Sequence, residues 1–310
     1  MTSEEIKRNE LLKAEAKKQL ITSGSNTMEG AEARKAIAAE MGAVIQPDLD
    51  QFSTARRIFQ YGDLTSGGDA IFPVDIENID AWVLPPRAKV PQNIVHSGEV
   101  AINTFSIGSS VEWELRFARM ARFDVVSRSR EKLQRAIIEQ EESYAWSLID
   151  TAVTAYDGTA DTRSVDEAGV SGVTKVLLNM MWTKMQETSD FKINLLVMSP
   201  TNAAYIREWS STDTTTVTHA IDAVTQREIW LNFGLTNVWG ADVMVVRSPY
   251  ISDTYIYGFD TGNFGWMPVR LDFVTYDDPT AISSLRQKVI GTEEVGFGIT
   301  DIRACVRGVV

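Results

Sequence analysis

Residues 62–105 constrain the fold more than any other part of the chain. The Gly-rich turn region YGDLTSGGDAIFPV leads into a stretch alternating around Ile71, Val74, Ile76, Ile79, Trp82 and Val83, and PPRAKVP breaks it. This pattern predicts a long two-stranded excursion with a polar, proline-marked tip. Such a ribbon, standing alone, is marginal in water. The N-terminal stretch has the same difficulty. Residues 3–20 predict a charged helix that Ser3 would cap, with Glu4 and Glu5 in the first turn. Its apolar residues are few: Ile6, Leu11, Leu12 and Leu20. A helix with so little to bury needs a partner surface. A joint follows at 21–30 (ITSGSNTMEG), then a second helical stretch at about 29–42, and Pro47 ends any continuation. Neither limb can bury its own apolar residues, which argues for an assembly of many copies.

The rest of the chain predicts an α+β body. DQFSTARRIFQ (50–60) is amphipathic, and strands near VAINTFSI and VEWELRFA follow the excursion. The clearest helix runs from near Ser127 to near Tyr156. Leu133, Ile137, Tyr144 and Leu148 form its apolar stripe, widened by Ala136, Ile138, Ala145 and Ile149. Arg128, Arg130, Lys132 and Arg135 precede Glu139, Glu141 and Glu142, an order that opposes the helix dipole. Burial along one face is therefore expected to hold this helix. After a loop at 154–172, a helix is expected over 173–188. NLLVMSP (194–200) reads as a buried strand, and Pro200 then opens a helix to Trp209. Residues 222–233 predict another helix. VWGADVMVV places a tight Gly240-Ala241 turn between two strands, and IYGFD, VRLDFVTYDD and the C-terminal stretch supply further strands.

Composition removes several function classes. The 310 residues are 44% hydrophobic and 23% charged, which fits a globular chain with a sizeable core. One cysteine, Cys305, excludes an internal disulfide framework and a multi-cysteine zinc site. Two histidines, His96 and His219, make a multi-histidine metal site a poor reading. The net charge of −12, with a pI near 4.8, disfavours a dedicated nucleic-acid binder. The charged N-terminus does not read as a secretory signal, and no apolar run approaches a bilayer span. A reducing cytoplasm is the expected compartment.

Motifs for chemistry are missing from the pattern. Neither histidine neighbours a G-x-S-x-G nucleophile, and there is no Walker sequence. GFGIT (296–300) resembles part of a dinucleotide fingerprint but lacks the third glycine and the following helix. It reads better as a strand with glycines for close packing. The acidic pairs Glu141/Glu142, Asp277/Asp278 and Glu293/Glu294 read as solvated faces, and Asp277-Asp278-Pro279 as a turn. Eight tryptophans and twelve phenylalanines, without a basic groove, are better explained by core and interface burial.

Two stretches carry a resemblance. FSIGSSVEWELRFARMARFDVVSRSREKLQRAIIEQEESYAWSLIDTA (105–152) looks like a strand leading into a long "spine" helix with an acidic pair, Glu141-Glu142. VRLDFVTYDDPTAISSLRQKVIGTEEVGFGITDIRACVRGVV (269–310) looks like a long strand pair, its loop and a closing strand. From about 50 to 310 the chain resembles the tailed-phage major capsid proteins of the Hong Kong 97-type fold, which encapsulin shells share. The resemblance implies an N-terminal arm (1–60), an extended E-loop hairpin (61–104), a peripheral P-domain with the spine helix and long strands (105–158 and 263–299), and an axial A-domain with a central sheet flanked by helices (159–262 and 300–310). It implies a structural protein without catalysis or cofactor. Its partners would be copies of itself in hexamers and pentamers of an icosahedral shell, and packaged double-stranded DNA contacted non-specifically. Portal, scaffolding or protease proteins and a decoration or cement protein would join in assembly. The expected location is the virion, and the host cytoplasm during assembly, with no membrane. Residues 1–45 are too short for the scaffolding domain of some members, so a separate scaffold or a short arm helix with part of that role is expected.

On this resemblance, inter-subunit contacts are expected at Arg56 and Arg57 (pairing with acids of a neighbour), at Trp82 with Arg87 and Lys89 of the PPRAKVP tip, and at Asp277 and Asp278 near a three-fold contact. Each also reads as a solvent-exposed charge or local packing. Some members of the family lock the shell by a lysine–asparagine bond with a glutamate base. Lys89 is the sole lysine between residues 36 and 131. Asn263 and Asn237 are conceivable acceptors, although nothing in the sequence marks either, and a surface charge or ion pair explains Lys89 equally. Two other readings stay open: an encapsulin-type compartment, and a soluble acidic enzyme or carbohydrate-binding protein using Trp230, Trp239 and Trp266.

Overall fold

The computed structural model describes residues 22, 31–39, 53–65, 67–75, 97–114, 116–117, 123–158, 162–167, 172–188, 191–207, 209, 237–246, 250–279 and 285–310. The chain passes through a helical stretch at 31–39 (α1), a short helix Ala55–Ile58 (α2) and strand β1 (Gln60–Asp63). Strands β2 (Ile71–Asp75), β3 (Ser97–Ala101) and β4 (Phe105–Glu114) follow, then the long helix α3 (Phe123–Asp157). Next come β5 (Ser164–Asp166), α4 (Lys175–Thr188), β6 (Leu195–Met198) and α5 (Pro200–Arg207). The elements described in the C-terminal part are mainly strands: β7 (Asn237–Val238), β8 (Ala241–Val245), β9 (Tyr255–Phe259), β10 (Gly265–Asp277), β11 (Arg286–Val295), β12 (Gly298–Ile299) and β13 (Cys305–Val309).

Three sheets result. The first runs β1-β10-β11-β4, with β12 added to β10. The second runs β5-β13-β9-β6-β8-β7. The third is β2 paired with β3 alone. Helix α3 bridges the first two. Its buried stripe is Leu133, Ile137, Ala145, Trp146, Ile149 and Val153. In one continuous core these meet Ile107, Phe273 and Val295 of the first sheet and Leu195, Val197 and Phe259 of the second. Burial of each large apolar side chain contributes ~1.5–3 kcal/mol, so this stripe holds the helix despite its adverse charge order. Tyr144, expected on the stripe, is 51% exposed, and its ring stacks on Phe105 at the core's edge. The stripe passes instead through Glu141 and Glu142, both buried.

Strand β11 alternates strictly: Gln287, Val289, Gly291, Glu293 and Val295 are buried, their neighbours only partly so. At Gly291 a Cβ would stand 2.7 Å from the Phe273 ring and 3.3 Å from Leu133, so the absence of a side chain lets α3 settle on the sheet. In the second sheet, β6 (LLVM) is buried on both faces, as its central position requires. Helix α4 covers that sheet with Leu177, Leu178, Met181 and Met185 packed against Ile256 and Val306. The β7–β8 turn falls one residue earlier than expected. Asn237 pairs with Asp242 and Val238 with Ala241, which leaves Trp239 and Gly240 as the loop, both at positive φ. A two-residue hairpin of that hand matches the strand twist.

The excursion at 62–105 is a hairpin over its described part. Ile71–Asp75 pairs antiparallel with Ser97–Ala101, and Ile71 is 47% exposed. Residues 61–63, read as the start of a Gly-rich turn region, belong instead to β1, which pairs parallel with β10 at the edge of the first sheet. The tip (Trp82, Arg87, Lys89), the predicted helices at 3–20 and 222–233, and both histidines lie outside the described residues.

Candidate functional site

Two charge clusters, one buried and one partly exposed, fasten separate parts of the chain to α3. The first joins the arm. Helix α2 has no cap from its own Thr54 side chain, so its leading N–H groups need an acceptor from elsewhere. Glu142 of α3 supplies one. Its Oε1 accepts from the Thr54 amide, from the Ala55 amide at 3.1 Å and from Ser53 Oγ at 3.3 Å. Its Oε2 accepts from Trp146 Nε1 at 2.8 Å. A carboxylate at a helix N-terminus also meets the positive end of the dipole. Burial pushes the Glu142 carboxyl above its usual range, and the Ala55, Trp146 and Thr54 donors hold the rise back.

At the next residue of α2, Arg56 spans two carboxylates. Its Nη2 lies 2.7 Å from Glu141 Oε1 and 2.8 Å from Glu293 Oε2, and its Nε lies 3.0 Å from Glu141 Oε1. Both acids are fully buried and the Arg56 side chain is 10% exposed. One cation between two buried anions leaves an uncompensated negative charge. Burial and the nearby Glu141 push the Glu293 carboxyl up to about 8, with Arg56 opposing. The shift favours the protonated form of Glu293, which relieves the excess negative charge beside Arg56.

The second cluster joins the C-terminal strand. Arg307 of β13 reaches Asp157 (Nη2, 2.6 Å), Asp150 (Nη1, 3.1 Å), Thr154 (Nη1, 3.2 Å) and Ser164 (Nε, 2.7 Å), and lies over the Tyr255 ring at 4.5 Å. Asp150, Thr154 and Asp157 are spaced to share one helix face. Burial pushes Asp157 up, but hydrogen bonds from Ser164 and the Arg163 amide, with Arg307 beside it, carry it below its usual range. Both clusters are mechanical: each fixes one limb or strand to the central helix. Among the described residues no group of three or more His, Cys, Asp or Glu is arranged to hold a metal ion. No helix among them is long and apolar enough to cross a membrane.

The comparison with known families settles what kind of molecule this is. The family described as phage capsid protein matches residues 98–308, more than half of the chain. This chain belongs to the phage capsid protein family. A search of curated protein sequences finds no match. Among solved structures, the fold is similar to Mycobacterium phage Bobi (9% identity, TM-score 0.60, 83% of this chain and 90% of that one). It is also similar to Microbacterium phage Oxtober96 (13%, 0.57, 83% and 90%) and to the capsid of a native GTA particle (16%, 0.56, 83% and 90%). The α+β architecture is thus the Hong Kong 97-type capsid fold, and the chain is a structural protein of a phage shell.

In this capsid protein the expected contact residues divide. Arg56 was expected to meet a neighbour's acids, but its own chain supplies them, because α2 lies against the middle of α3. Asp277 is likewise internal: Arg34 of α1 lies 3.6 Å away and both side chains are buried. Burial pushes the Asp277 carboxyl up, with Arg34 opposing. Asp278 pairs with Lys288 at 3.2 Å across the β10–β11 ladder, its amide bonded to the Lys288 carbonyl. Arg57 is exposed and has no ion-pair partner among the described residues. Trp82, Arg87 and Lys89 lie outside those residues. Asn263 donates to Asp260 at 3.1 Å, and Asn237 accepts from the Gly240 amide at 3.0 Å, so each stabilises its own turn. Glu141, Glu142 and Glu293, read as solvated, are buried. A signal was present: acids interrupting an apolar stripe (Glu141 four residues after Ile137, Glu142 four before Trp146) mark a buried polar contact. Arg307 gave no such signal.

Proposed function

We propose that this chain is the major capsid subunit of a tailed double-stranded DNA phage. Copies assemble into hexamers and pentamers of an icosahedral head that encloses the genome. The observation that carries the reading is the β2–β3 hairpin, which over its described residues shares no sheet with the body, on a chain of the phage capsid family. A ribbon of two strands gains stability by lying on a neighbour. In this reading the first sheet with α3 is the peripheral domain, the second sheet with α4 and α5 is the axial domain, and residues 1–60 are the arm. Arg57, Trp82, Arg87 and Lys89 contact neighbouring subunits. The subunit resides in the virion and, during assembly, in the host cytoplasm. Portal, scaffolding or protease proteins, and a decoration protein, are its further partners. It catalyses no reaction.

Negative-stain microscopy and sedimentation of the purified protein, alone and co-expressed with a scaffolding protein, test the proposal. Closed megadalton particles or ring-shaped capsomers are expected. A small discrete oligomer would reject it. A closed shell holding a cargo enzyme in place of DNA would favour an encapsulin-type compartment.

A further inference from the structure

The charge order of α3 opposes its dipole, and the structure accounts for only half of it. The acidic half is used within the chain: Glu141 meets Arg56, while Asp150 and Asp157 meet Arg307. Among the described residues of the basic end, Arg116 meets Glu114, while Arg128 and Lys132 meet no carboxylate. Residues 116–135 carry seven Arg or Lys against two acids. Removing these from the totals of 30 and 42 leaves 23 basic residues against 40 acidic elsewhere. A basic end on so acidic a chain is complementary to other copies of the same chain.

That end holds a cleft of about 450 Å3 where β4 and β11 meet the first turns of α3. Trp113, Arg128, Ser129 and Lys132 line it. The two acids at its rim are already neutralised: Glu112 by Arg286 at 2.6 Å and Glu114 by Arg116 at 2.5 Å. Arg128 and Lys132 are exposed and have no carboxylate partner among the described residues. The Trp113 indole Nε1 is buried without a hydrogen-bond partner, and Trp113 is only 4% exposed. Gln287, opposite Trp113 in the β4–β11 register, is fully buried and both its amide atoms lack partners.

We propose that this cleft receives a carboxylate side chain from a second copy of the capsid protein, held between Arg128 and Lys132 beside the Trp113 wall. The inference rests on the shell reading and names one of its contacts. A cleft with acids on its rim suits a single carboxylate better than a phosphate backbone, which calls for a continuous basic track.

Two experiments test it. The first compares the wild-type protein with the double variant Arg128→Glu/Lys132→Glu. Both positions are exposed, so subunit melting should stay unchanged while the yield of closed particles falls at least tenfold and capsomers accumulate. The second applies a zero-length carbodiimide to particles assembled from mixed 14N- and 15N-labelled subunits. Mass spectrometry should then find Lys132 joined to an Asp or Glu of the opposite label. Wild-type particle yield from the double variant, or Lys132 joined only within its own label, overturns the inference. Normal shells that fail only to retain DNA overturn it too, in favour of a nucleic-acid contact. If the wild-type protein itself forms no particles, the shell reading fails, and the inference with it.

Discussion

Replacing Arg56 by methionine tests the arm cluster most severely. The guanidinium lies 2.7 and 2.8 Å from two carboxylates, both fully buried. Removing one partner of a buried ion pair costs ~3–5 kcal/mol, because the charge left behind is neither paired nor hydrated. Here two acids are left, so the cost must depend on pH. In the wild type, Glu293 is raised from 4.5 to about 8. Between those values the unfolded chain has released this proton and the folded chain keeps it. The contribution of Glu293 is therefore full below pH 4.5 and declines by about 1.4 kcal/mol per pH unit up to about 8. Without Arg56 the charge that opposes the rise is gone, so Glu293 is pushed up further and its decline runs on above pH 8. Calorimetry of the unassembled subunit from pH 6 to 9.5 at one scan rate reads this out. A Tm loss on the order of 10 °C is expected at pH 7, growing toward pH 9.5. An equal loss at both ends of the range, or none, would refute the placement of Arg56 between two buried acids.

Three other substitutions follow from the same geometry. Glu293→Gln keeps an acceptor for Arg56 and removes the titration, so the decline in Tm between pH 5 and 8 should flatten; an unchanged pH slope counts against it. Glu142→Ala strands the Thr54 and Ala55 amides and the Trp146 indole, at ~1–3 kcal/mol for each buried donor. Faster amide exchange at 54–59 and an altered tryptophan emission should accompany it, whereas exchange equal to wild type would show that α2 has another anchor. Gly291→Ala places a methyl 2.7 Å from the Phe273 ring and should cost ~1–3 kcal/mol by overpacking between α3 and β10; urea unfolding with an unshifted midpoint would contradict that packing.

The long helix, the hairpin limb and most strands were legible because each rests on local periodicity. Leu133, Ile137 and Ile149 announce their face of α3 within a few turns. The charge clusters were not legible, for a reason of distance. Arg56 is 85 residues from Glu141 and 237 from Glu293, and nothing near Arg56 states that these acids stand beside it. Acidic residues default to solvent in any local reading, so Glu141, Glu142 and Glu293 were assigned to the wrong environment. The same default sent Asp277 outward, although Arg34 of the arm covers it. Tyr144 failed in the opposite sense: an apolar residue at helical spacing is taken for core, but the stripe bends around it toward Trp146. The β7–β8 turn shifted by one residue because Trp239 adopts positive φ, which sequence alone would assign to glycine or asparagine.

Hydrogen exchange on the β2–β3 hairpin, in dispersed subunits and in assembled material, tests most directly whether this limb is ordered by neighbouring subunits. Amides of 71–75 and 97–101 should exchange quickly in dispersed subunits and gain at least a hundredfold protection once subunits associate. Strong protection already present in a dispersed monomer, with no gain on association, would mean that the hairpin is stable on its own body and that the limb does not serve neighbouring copies.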